Sequence, residues 1–158
     1  MKIQTAFLGE IEIDDSQTIH FEHGLPGFEE EQKFTLIPLE DEAVYQVLQS
    51  VNNAQIAFVT VNPFLFTNYN FDLDESTVHS LSITSNEDIA ILSIVTVKEP
   101  FSASTLNLKA PIVINMKLKK AKQTIIEKSD FPIRHPISQG KGWLYAYLNK
   151  KNWWIYMD

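Results

Sequence analysis

Short runs of β-branched and aromatic residues, each cut off by glycine, proline or asparagine, leave this 158-residue chain little choice but a β-sheet. Ile3 to Phe7 and Glu10 to Ile13 alternate apolar and polar residues on either side of Gly9, which predicts a hairpin. Thr18–Phe21 is stopped by His23-Gly24, Phe34–Ile37 by Pro38, and Ile56–Val61 by Asn62-Pro63; Tyr45–Leu48 lies between the last two. Ile89–Val97 is apolar on both alternating sets, the pattern of a strand covered on both faces. Thr105–Leu108 and Ile112–Leu118 supply further strands, with Pro111 at a strand start, edge or bulge because it lacks an N–H. Gln123–Ile126 reads as the last strand of the core. One short helix is expected in the middle, with Asp74 or Ser76 as its cap and Thr77, Val78 and Leu81 within it. The expected fold class is all-β and mainly antiparallel: a small β-barrel-like single domain with at most one or two short helices.

A chain of this length buries enough surface to fold without staples. It has no cysteine, so disulfides, thiol nucleophiles and cysteine zinc sites are excluded. No apolar stretch approaches the ~20 residues of a membrane span, and the N-terminal residues lack the apolar run of a signal peptide. These features fit a cytoplasmic protein. The net charge of −7 is unevenly spread: residues 1–100 carry 3 basic and 17 acidic residues, residues 101–158 carry 10 basic and 3 acidic. Such asymmetry steers a basic partner toward one surface and repels nucleic acid, although ordinary solvation of loops would produce the same blocks.

No nucleophile elbow, Walker loop or dinucleotide glycine pattern occurs. His20 and Glu22 share a strand face while His23 points away, and no third histidine is near, so solvated histidines are the expectation rather than a metal site. Asp72, Asp74 and Glu75 lack the glycine and terminal glutamate of an EF-hand loop. Lys117, Lys119, Lys120 and Lys122 read as lysines protecting an edge strand rather than as a nucleic-acid patch. The expectation is no catalytic residue, no metal, no cofactor, no direct nucleic acid and no membrane contact.

Two segments carry more information than the rest. In Gly24-Leu25-Pro26-Gly27-Phe28-Glu29, Pro26 and Gly27 are the natural centre of a type II turn, with Leu25 and Phe28 anchoring it to the core. The carboxylates of Glu29, Glu30 and Glu31 repel one another and must face solvent or a basic partner. In the second segment, Thr105 to Asn115, Asn107 and Asn115 flank Pro111, and both asparagines suit structural hydrogen bonding better than ligand binding.

These segments, read in order with Phe21, Leu48-Gln49-Ser50, Phe58-Val59, Asn62-Pro63 and Gln123, resemble the FliW family of bacterial flagellar assembly factors over roughly residues 3 to 134. The resemblance implies a non-enzymatic regulator that is a monomer when free. It also implies two alternative protein partners: flagellin, and CsrA, the RNA-binding regulator that represses flagellin translation. Abundant flagellin would occupy the protein; once flagellin is secreted, the freed protein would capture CsrA and relieve repression. Clustering of charge singles out Glu29, Glu30, Glu31, Asp72, Asp74 and Glu75 as partner-binding candidates. The motif residues Gly24, Leu25, Pro26, Gly27, Phe28, Leu48, Gln49, Ser50, Asn62, Pro63, Asn107, Pro111 and Asn115 are expected to be structural. Two other functions fit the same residues: a flagellin chaperone with no CsrA role, and a small-ligand-binding barrel. The expected division is a FliW-like barrel domain over 1–137 and an aromatic extension over 138–158, where the family pattern has a short polar tail. That extension holds all three tryptophans, Trp143, Trp153 and Trp154.

Overall fold

The computed structural model describes residues 1–39, 41 and 44–137; the aromatic extension lies outside them. The strands are β1 (Lys2–Gln4), β2 (Glu10–Glu12), β3 (Ile19–Phe21), β4 (Lys33–Pro38), β5 (Tyr45–Ser50) and β6 (Ala57–Val61). After the short helix α1 (Glu75–Ser80) come β7 (Ile89–Thr96), β8 (Thr105–Leu106), β9 (Ile112–Asn115), β10 (Lys120–Gln123) and β11 (His135–Pro136). The order β7-β6-β5-β4-β3-β10-β9 is closed by pairing of β9 back onto β7, which makes a seven-stranded barrel. Neighbours in the ring are antiparallel except β3 and β10, which run parallel. Thus the expected small, mainly antiparallel barrel is what forms.

β7 serves three neighbours. Ile89–Leu92 pair with β9, Ser93 and Ile94 with β6, and Val95 and Thr96 with β8, on which β11 is laid. Alternation along the strands separates two cores. All seven barrel strands send side chains into one cluster containing Phe21, Phe34, Leu48, Phe58, Leu92, Ile112, Ile114 and Ala121, so the barrel interior is filled. The opposite faces of β5, β6 and β7 carry Tyr45, Val47, Val59, Val61 and Val95. These pack under Tyr69, Phe101, Leu106, Leu108, Ile126 and Ile137. Covering on both faces accounts for the apolar residues on both alternating sets of Ile89–Val97.

Several boundaries differ from the sequence reading, each for a hydrogen-bonding reason. The strand beginning at Ile112 ends at Asn115 rather than Leu118. The Asn115 carboxamide oxygen accepts from the N–H groups of Lys117 and Leu118, both at 3.1 Å, and so turns the chain. The lysines are also corrected. Lys120 and Lys122 stand on β10, which is paired on both edges, and Lys117 and Lys119 lie in the turn before it; they do not protect an edge strand. The strand expected at Gln123–Ile126 is β10, ending at Gln123; beyond it, Thr124 and Ile126 donate to the carbonyls of Pro111 and Lys109. Thr105–Leu108 shortens to β8, because the Leu108 N–H donates to Pro132 instead.

Buried polar side chains fasten the pieces together. Gln49, fully buried on β5, accepts from the Ala6 N–H at 3.0 Å and so ties down the β1–β2 hairpin loop. Its carboxamide nitrogen lies 3.1 Å from the Ser50 carbonyl and 3.2 Å from that of Ala54, within the β5–β6 loop. The Asn115 carboxamide donates to the Leu81 carbonyl at 2.8 Å, holding the end of α1 against the barrel. Asn115→Ala takes a hydrogen-bond partner from four backbone groups, of Leu81, Ser82, Lys117 and Leu118, and should destabilise the fold by roughly 2–4 kcal/mol. Urea unfolding followed by tryptophan-independent circular dichroism measures this; a loss below roughly 1 kcal/mol would contradict the role assigned to Asn115.

Candidate functional site

The Gly24–Glu29 turn is built as its residues dictate. Phe28 N–H donates to the Leu25 carbonyl at 2.7 Å, and Gly27 at the third turn position has φ +86°, as a type II turn requires. Leu25 is buried in the barrel core. Phe28 stays 38 % exposed yet stacks edge-on against Phe58 with ring centroids 5.4 Å apart. Through Phe58 and Phe34 it continues an aromatic chain to Phe21. Gly24 has φ +63° and no room for a side chain: a Cβ there would lie 2.5 Å from the Phe28 carbonyl oxygen. At Gly27 nothing lies within 4 Å of such a Cβ.

The acidic candidates fall into two groups. Glu29 and Glu30 are exposed just past the turn, and the Glu29 carboxylate accepts from the Gly27 N–H at 3.2 Å. Glu31 is half-buried and accepts from the Ser50 hydroxyl at 2.8 Å, which anchors the acidic run to β5. Ser50 in turn accepts from the Asn53 N–H at 3.0 Å. Asp72, Asp74 and Glu75 are exposed at the entry to α1. Asp74 is the N-cap, its carboxylate accepting from the Thr77 N–H at 2.7 Å; Ser76 lies inside the helix. Hydrogen bonding to Thr77 holds the Asp74 carboxyl below its ordinary value, and the nearby Lys122 charge acts in the same direction.

A cleft of about 970 Å³ is lined by Glu22, His23 and Glu29 from the turn region, Ser76, Ser80 and Leu81 from the α1 region, and Lys120 and Lys122 of β10. Of the acidic candidates only Glu29 lines it, so Glu29 shares the cleft with two lysines. The lysines, Gln32 and Ser80 were not singled out for a site in the sequence, because only the parallel β3–β10 pairing brings Lys120 opposite His20. His20 and His23 are exposed, and among the described residues no group of three His, Asp or Glu side chains is arranged to hold a metal.

The fold has close counterparts. A family model described as FliW protein matches residues 2–137. This chain belongs to the FliW family. The flagellar assembly factor FliW of Oceanobacillus iheyensis is 47% identical over 132 residues, covering 83% of this chain and 90% of the relative. That of Bacillus subtilis is 44% identical over 138 residues, covering 87% and 96%. A crystal structure of the flagellar assembly factor FliW superposes with a TM-score of 0.82 at 39% identity, covering 89% of this chain and 99% of that one. Membership, and the flagellar-assembly role it carries, agree with the resemblance read from the sequence segments.

Several of the residues that carry the family resemblance make local hydrogen bonds or pack in the barrel. Beyond Gln49, Ser50 and Asn115, the Asn62 side chain caps a 3-10 turn begun by Pro63, accepting from the Phe64 N–H at 3.0 Å. Asn107 accepts from the Ala110 N–H at 3.0 Å and shapes the loop that ends at Pro111, just before β9. Leu48 fills the barrel.

Two substitutions at the turn should separate strain from crowding. Gly27→Ala should cost about 1 kcal/mol for its left-handed backbone alone, and Gly24→Ala at least roughly 2 kcal/mol more, because the loop backbone must move. Paired urea melts measure both, and equal losses would contradict the crowding argument. Asp74→Ala should cost about 1 kcal/mol at pH 7 through loss of the cap. Since the native carboxyl titrates below its ordinary value of 3.8, this contribution is whole above that value and is lost as pH falls through the lowered one. The stability gap between wild type and variant should therefore narrow in melts below pH 3.8; a constant gap would contradict it.

Proposed function

We propose that this FliW-family chain is a non-catalytic partner switch that binds either flagellin or the translational regulator CsrA. Abundant flagellin keeps it occupied. Secretion of flagellin frees it to capture CsrA, and flagellin translation resumes. Differential binding suffices for such feedback. The observation that carries the CsrA arm is two sets of exposed carboxylates: Glu29 and Glu30 just past the turn, Asp72 and Glu75 at the entry to α1. Carboxylates held on anchored backbone attract a basic RNA-binding protein and disfavour the phosphates it carries. Family membership supports the flagellar setting.

Other readings draw less support. The barrel interior is filled by apolar side chains, which disfavours a ligand-binding barrel. Among the described residues no helix is long and apolar enough to cross a membrane. A flagellin chaperone without a CsrA role remains the reading to test against. The division of labour proposed is a binding domain over 1–137, with the aromatic segment 138–158 as an extension of it.

The deciding experiment titrates the protein into a CsrA complex with flagellin leader RNA, with and without flagellin, and follows RNA release. Release that flagellin suppresses is expected. Flagellin binding without RNA release would favour the chaperone instead. Charge reversal at Glu29, Glu30, Asp72 and Glu75 together should slow CsrA association by about tenfold or more at low salt and less at high salt. Stopped-flow association rates across a salt series check this, and unchanged rates would sink the role given to these carboxylates.

A further inference from the structure

Two adjoining hollows beside α1 have an apolar floor. One of about 740 Å³ and one of about 420 Å³ share Leu73, Val78, Ile83 and Thr84 as lining. Phe71, Ile89 and Ile91 extend that floor in the larger hollow. All six apolar side chains are half-buried, so each keeps a face that no described residue covers. Asp72 lines the larger hollow and Glu75 the smaller, and both are exposed. Among the described residues no lysine or arginine lines either hollow. The two together form a trough that suits a segment both apolar and cationic.

We propose that the trough is covered by this chain's own residues 138–158. Their sequence has both properties. Trp143, Tyr145 and Tyr147 follow Lys141, and Trp153, Trp154 and Tyr156 follow Lys150 and Lys151. Residues 138–158 carry 3 basic residues and 1 acidic residue, whereas residues 1–137 carry 10 basic and 19 acidic. The aromatic side chains would rest on the floor, with the lysines against Asp72 and Glu75. Charge alone would suit any basic partner; aromatic content and attachment select this one. Ile137, where the segment begins, is buried in the outer cluster, and Phe71 and Ile91 of the trough pack against that same cluster. Trp143 follows Ile137 by six residues and so stays within about 20 Å of it. An attached segment acts at an effective concentration of about a millimolar, while a separate partner must arrive from solution. Covering the trough also removes two apolar surfaces from water at once.

The test uses the full chain, where tryptophan occurs at positions 143, 153 and 154 alone, so tryptophan emission reports this segment and nothing else. Emission in buffer should lie to the blue of the urea-unfolded chain at every protein concentration. Val78→Lys sets a cation on the apolar floor, opposite the segment's own lysines. It should move emission to the unfolded position and raise the acrylamide quenching constant by about threefold, with far-ultraviolet circular dichroism unchanged. Reversing Asp72 and Glu75 to lysine together should move emission the same way, more at low salt than at high salt. Carbodiimide coupling of the wild-type chain should join Lys141, Lys150 or Lys151 to Asp72 or Glu75. Emission at the unfolded position in the wild type overturns the proposal, whether or not flagellin or CsrA then shifts it. A blue shift that vanishes on dilution makes a second copy the occupant and overturns it too. So does a blue shift that a folded Val78→Lys variant retains. Coupling of those lysines only to carboxylates outside the trough overturns it without any variant, so a poorly folding substitution leaves the proposal open to refutation.

Discussion

Strand β7 divides one of its edges between two neighbours, and the remainder of the molecule depends on that division. Its first half holds β9 and closes the barrel; its second half holds β8 and carries the sheet outward to β11. A strand residue can offer each edge to one partner only. The chain must therefore leave β7 after Leu106 and return at Ile112, and the Asn107–Pro111 loop performs that step. The Asn107 side chain closes the loop on Ala110, and Pro111 reaches β9 without an amide to satisfy. The motif that first marked this chain is thus the piece of sequence that lets one strand close a barrel and extend it.

The same branching produces two apolar cores, one inside the barrel and one under the β8–β11 extension. Three buried polar side chains tie outlying segments to the barrel. Gln49 fastens the N-terminal hairpin, Ser50 fastens the acidic run through Glu31, and Asn115 fastens α1. Loss of such a group costs more than its own bond, because its partners are left without water. The acidic side chains consequently stand on backbone that is held from below.

Much of this was legible in the residues. Gly9 marked the first hairpin, Pro26-Gly27 the type II turn, and Asp74 or Ser76 the helix cap, since each acts on its immediate neighbours. Double coverage of Ile89–Val97 was also legible, because apolar residues occupy both alternating sets. The lysines near residue 120 were misread. Their alternation looked like a guarded edge, but β10 is enclosed by β3 and β9, and its lysines line the cleft. Nothing local announces a parallel pairing between segments a hundred residues apart.

By itself, the sequence determined the class of fold, the sites where the chain turns, the absence of cysteine chemistry and the family. These follow from backbone preference, side-chain patterning and composition, which act within a few residues or not at all. The tertiary structure alone decided how β7 is shared, that β10 lies between β3 and β9, and that Glu29 shares a cleft with the β10 lysines. Those are matters of register and closure. They arise from pairings between distant segments, where the side-chain alternation of either strand is compatible with many neighbours and only the closed barrel selects one.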